Sequence, residues 1–152
     1  MSPRRPQVVV LEADGRVARH LAELAAESRW LIRPARTPAA ALELARDRRP
    51  TVVFIEFKPA DPAAGALVAG VHRLAPDVAV VAVSDEKLSE PDRAAWTAVL
   101  FDLSARYVLF PPLTKPILED LACGLMATAT GAAIGAAAPG DEVIDLADED
   151  DE

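Results

Sequence analysis

An α/β fold on a parallel sheet is what this 152-residue chain predicts, and three observations carry the prediction. Between Gln7 and Met126, five short β-branched or aliphatic runs alternate with five segments of helical spacing, the pattern of parallel strands joined by right-handed crossovers. The central run "TVVFIEF" is almost wholly apolar, as expected where helices cover both faces of a sheet. Hydrophobic residues make up 51% of the chain and aromatics only 5%, so the interior must be aliphatic, built from Ala, Val and Leu.

The elements follow in order. "QVVVLEAD" is a strand ending in acids, and "GRVARHLAELAAE" places Val17, Leu21, Leu24 and Ala25 at helical spacing, with Asp14 as the expected N-cap. "WLIRPAR" is a short second strand. Thr37 and Pro38 supply a cap and a first-turn proline for "AAALELARDRR", and Pro50 ends that helix. "TVVFIEF" is the third strand, "AAGALVAGVHRLA" the third helix and "DVAVVAVS" the fourth strand. Ser89 and Pro91 open "DRAAWTAVLFDLSA", "RYVLF" is the fifth strand, and "TKPILEDLACGLMA" is a last helix, again opened by Thr and Pro.

The division that results is a domain over residues 1–126, an Ala/Gly-rich linker over 127–140 and an acidic tail over 141–152. The uncharged run "LACGLMATATGAAIGAAA" invites a membrane reading, but it is rich in Ala, Gly and Thr and lacks basic or aromatic anchors, so no spanning helix is expected. The formal charge of −8 is unevenly placed: eight of the 24 acids lie in the last twelve residues, and the remaining sixteen are balanced by sixteen Lys and Arg. Without a concentrated basic footprint, nucleic-acid binding is not expected. One cysteine, Cys123, excludes an internal disulfide, and with no signal-like segment the expected setting is cytoplasmic. His20 and His72 stand alone on helices, and no Ser-His-Asp spacing or phosphate-cradling glycine loop is present, so no metal, cofactor or enzymatic activity is expected.

Ligands of such sheets bind at the carboxyl ends of the strands, which directs attention to Glu12, Ala13, Asp14, Glu56, Ser84 and Phe110. Here "VVVLEAD", "PTVVFIEFKP", "VAVVAVSD" and "RYVLFPP" together resemble a response-regulator receiver domain over residues 7–126. The resemblance implies a flavodoxin-like (βα)5 doubly wound parallel sheet of strand order 2-1-3-4-5. It puts Glu12 and Ala13 at the paired acidic positions, with Asp14 beside them, and Glu56 where a phospho-accepting aspartate would stand. Ser84 and Tyr107 fall at the hydroxyl and aromatic switch positions, Phe110 replaces the lysine and Pro111 takes the place of the cis-proline. The acceptor is thus one methylene longer, one magnesium ligand has lost its side chain and the lysine ammonium is gone. Phosphoryl transfer depends on cations that neutralise developing charge.

The expected function is therefore a phosphorylation-independent pseudo-receiver, a protein-protein interaction module in bacterial signal transduction. The alternatives are a receiver that retains phosphorylation or metal binding at Glu12 and Glu56, and a small-ligand sensor using the acidic pocket. Glu12 and Glu56 as two solvated strand-end carboxylates is the plainer reading of that pair. Trp96, Leu100 and Phe101 make the fourth helix unusually apolar and are candidates for a partner face, including a homodimer through helix 4, strand 5 and helix 5. In the tail, Val143, Ile144, Asp145 and Leu146 form a short apolar motif able to add as an edge strand to a protein partner.

Overall fold

The computed structural model describes residues 4–137. Strand β1 (Gln7–Leu11) leads into α1 (Arg16–Ser28), β2 (Leu31–Ala35) into α2 (Pro38–Ala45) and β3 (Thr51–Phe57) into α3 (Ala63–Leu74). Then β4 (Ala79–Ser84), α4 (Glu90–Asp102), β5 (Tyr107–Leu109) and α5 (Lys115–Ala137) complete the described chain. All pairings are parallel and the order is β2-β1-β3-β4-β5. This is the expected doubly wound sheet.

Strand alternation divides the core between two faces. Val9, Val53, Ile55 and Phe57 pack under α2, α3 and α4 with Leu67, Val71 and Leu100. Val8, Val10, Val52 and Phe54 pack under α1 and α5 with Leu21, Leu118 and Met126. Both sides of β1 and β3 are dry, which is why these strands read as unbroken apolar runs. The polar exception is Gln7, fully buried, whose Nε2 donates to the Leu44 carbonyl at 2.8 Å and to Thr51 Oγ1 at 3.1 Å. It ties β1 to α2 and β3 beneath the sheet.

Thr37 accepts from the Ala40 N–H at 3.1 Å and Ser89 from the Asp92 N–H at 3.3 Å, so both expected caps form. Four expectations are corrected. Asp14 is not the cap of α1: Gly15 occupies that position at φ 74° and makes no side-chain bond, while Glu12 reaches over it. The cis bond joins Pro111 to Pro112, so the cis residue is Pro112 and not Pro111; a Pro-Pro pair offers two tertiary amides, and the sequence does not choose between them. The last helix, expected over 114–127, continues to Ala137, because an alanine-rich segment has high helix propensity and absorbs the cost of Gly124 and Gly131. Leu100 is a core residue, 1% exposed, and not a surface anchor; Trp96, one turn earlier, lies on the same side and is half-buried.

The tail motif Val143–Leu146 lies outside the described residues. No helix among the described residues is long and apolar enough to cross a membrane.

Candidate functional site

Parallel strands deliver their carboxyl ends to one edge, and β1, β3 and β4 bring Glu12, Glu56 and Ser84 there. Glu12 turns back over the loop: its two oxygens accept from the Val17 N–H at 2.8 Å and the Ala18 N–H at 3.0 Å. These are the second and third residues of α1, the N–H groups an N-cap side chain normally satisfies. The strand-end acid therefore caps the helix. Asp14 accepts from the Arg16 N–H at 3.1 Å instead. Glu56 Oε1 accepts from the Ala13 N–H at 3.0 Å, stitching β3 to the loop after β1.

Lys58 is the residue that the sequence reading missed. It follows Glu56 by two positions, a spacing that keeps strand side chains on one side, and that periodicity was the available signal. Its Nζ donates to Asp85 Oδ2 at 3.0 Å, and this bond together with the neighbouring Glu56 charge raises its pKa. Asp85 in turn is held below the ordinary carboxylate range, first by the Lys58 hydrogen bond, with the Lys58 and Arg16 charges adding and burial opposing. Asp85 Oδ1 and Arg16 Nε are both buried without a hydrogen-bond partner, Arg16 Nε lying 4.0 Å from Asp14 Oδ2.

A group with a depressed folded pKa contributes stability above its unfolded value, about 3.9 for Asp, and loses it as pH falls through the folded value. Asp85→Asn should therefore lower stability at neutral pH by the modest amount expected of a surface ion pair. The gap from wild type should close in strongly acidic buffer. Urea unfolding of both proteins at the two pH values measures it, and a gap of equal size at both would assign the effect to packing.

Ser84 is fully buried; its Oγ accepts from the Glu86 N–H at 3.0 Å and donates to the Glu86 carbonyl at 3.2 Å. Tyr107 is 44% exposed and lies in register with Val81, three places before Ser84. Phe110 is half-buried and meets Phe57 edge to face at 6.0 Å, packing its ring against the core beneath α2, α3 and α4. Of the apolar residues on α4, Phe101 is 48% exposed and Val99 47%.

Beside the acids, on the α2 and α3 side, lies an open cavity of about 280 Å³ lined by Glu12, Ala13, Glu56, Lys58, Arg36 and Asp61, among others. Among the described residues, no group of three or more His, Cys, Asp or Glu is placed to hold a metal. The magnesium that the resemblance implies does not fit these residues. It demands several oxygen ligands in near-octahedral geometry, whereas Ala13 offers no side chain, both Glu12 oxygens accept backbone N–H groups and one Glu56 oxygen does the same.

Sheet order and two-sided helix cover define the class: a flavodoxin-like, doubly wound α/β fold. No family model and no curated protein matches the sequence. Solved structures do. The chain is similar to a signal receiver domain assigned to a Luxo repressor protein from Vibrio parahaemolyticus, at 14% identity and a TM-score of 0.70, covering 87% of this chain and 98% of that one. It is also similar to a CheY-like response regulator receiver domain from Methanospirillum hungatei, at 13% identity and a TM-score of 0.63, covering 84% and 99%. A third similar structure is described as an adenylate cyclase from Rhodopirellula baltica, at 7% identity and a TM-score of 0.66, covering 88% and 95%. At these identities the likeness establishes the fold, and one fold hosts many activities.

Proposed function

We propose that this chain is a receiver-type signalling domain that accepts no phosphoryl group and acts by protein contact. One observation carries the reading: the acid site is tied to the protein's own backbone, both Glu12 oxygens accepting from Val17 and Ala18 and Glu56 Oε1 from Ala13, which leaves too few carboxylate oxygens to hold a cation. Transfer to a phospho-acceptor needs cations around the transferred group. Lys58 is turned to Asp85, and Phe110 supplies a ring where the resemblance expects an ammonium. The receiver domains among the structural neighbours support a signalling role.

Contact with a protein partner, or with a second copy of the chain, falls to the surface of α4, β5 and α5. Phe101, Tyr107 and Ile117 are each 44–48% exposed there. Such apolar side chains bury well against a partner and cost little to leave in water singly.

Incubation with acetyl phosphate and magnesium, followed by intact mass measurement, tests the proposal. The expected spectrum holds the unmodified mass alone. A species heavier by one phosphoryl group, lost in a Glu56→Gln variant, would restore the phosphorylated alternative.

A further inference from the structure

The edge opposite the acid site gathers arginine. Residues 4–6 pass between the starts of β2 and β3: the Leu31 N–H donates to the Pro6 carbonyl at 2.8 Å and the Gln7 N–H to the Pro50 carbonyl at 2.9 Å. Arg5 Nε donates to the Arg29 carbonyl at 2.9 Å and Arg49 Nη1 to the Arg5 carbonyl at 3.1 Å. Arg4, Arg5, Arg29, Arg46, Arg48 and Arg49 are thereby collected where α1 and α2 end. Asp47 pairs with Arg4 at 2.7 Å and with Arg49 at 2.8 Å, and Glu43 with Arg46 at 3.5 Å. Arg5, Arg29 and Arg48 are exposed and make no ion pair among the described residues.

The last helix runs toward this edge. Helix α5 starts at the carboxyl edge after β5 and runs back along α1, its Leu118, Ala122, Leu125 and Met126 sharing one core cluster with Val17 and Leu21. Further along α5, Ala129 packs against the same cluster as Trp30, just before β2. Twenty-three residues of α5 span about 34 Å against about 20 Å for the thirteen of α1. It therefore ends beyond the arginine edge. Residues 138–152 follow, with eight acids and no base after Gly140, and fifteen residues reach up to about 50 Å.

We infer that the acidic tail, residues 141–152, binds in cis over the arginine edge formed by Arg5, Arg29 and Arg48, screening it from other polyanions. Tethering supports this occupant over a free one: a short linker holds the tail at millimolar effective concentration, so individually weak ion pairs suffice. The inference goes beyond the proposed function and concerns the other end of the sheet, so either can fail alone.

Amide NMR spectra of the full chain test it, against a full-length variant in which every acid of residues 141–152 becomes its amide (Asp→Asn, Glu→Gln). At low ionic strength the wild-type signals of residues 4, 5, 29, 30 and 46–49 should be displaced from those of the variant. High salt should abolish the displacement, because the screening length falls to about 3 Å near 1 M. Arg5→Gln/Arg29→Gln/Arg48→Gln should move the tail signals to their high-salt positions. Spectra that differ only at residues 138–152 would overturn the inference. Displacements that grow with protein concentration would also overturn it, by showing that the edge captures the tail of a second copy.

Discussion

Leu100→Ala should destabilise the domain by about 2–5 kcal/mol, whereas Phe101→Ala should change stability by no more than about 0.5 kcal/mol. Adjacent helix positions are turned about 100° apart, and α4 uses that turn to divide its apolar residues. Leu100 is 1% exposed and packs with Val80, Ala82 and Ala105 in the face under α2, α3 and α4, so truncation leaves a cavity that the strands above cannot collapse into. Phe101 is 48% exposed and loses little that water does not replace. Urea unfolding of both variants measures the contrast. Equal losses would mean that α4 is rotated from the position described, and that the partner surface drawn from it is misplaced.

Phe57→Ala should cost about 3–5 kcal/mol and should also change the surroundings of Trp96. The Phe57 ring is 1% exposed and lies between two others, Trp96 at 5.9 Å and Phe110 at 6.0 Å. Aromatic contacts of this spacing add about 0.5–1.5 kcal/mol beyond burial. Because only Trp30 and Trp96 fluoresce as tryptophans in this chain, a red shift in the folded variant that persists in a Trp30→Phe background would report Trp96 opening to solvent. Destabilisation without that shift would separate the core role of Phe57 from its support of α4. The same triad gives the aromatic at position 110 a packing role, its ring meeting Phe57 edge to face just after β5.

Much of the fold was legible in local patterns. The apolar runs of β1, β3 and β4, and the Thr37 and Ser89 caps, each rest on neighbours in sequence, and each forms as read. The candidate site was legible only as a set of positions. That Glu12 would cap α1 depends on Gly15 turning the chain through a left-handed conformation, which swings the Val17 and Ala18 N–H groups back toward the strand end. That Lys58 would turn to Asp85 depends on β3 and β4 being neighbours, with Phe57 in register with Ser84. The apolar stretch of α4 showed an excess of hydrophobic residues, but the helix phase that buries Leu100 comes from how α4 meets the sheet. Gln7, a polar residue opening a strand, gave no local sign that it would be fully buried.

Both oxygens of Glu12 and Oε1 of Glu56 are held by backbone N–H groups, which leaves this edge without a cation site. A magnesium titration followed through the amide signals of Ala13, Val17 and Ala18, the three donors to those carboxylates, tests it most directly. The account predicts that all three signals stay in place through millimolar magnesium. A saturable displacement of the three together would contradict it, because the metal would then be drawing both carboxylates away from their N–H partners.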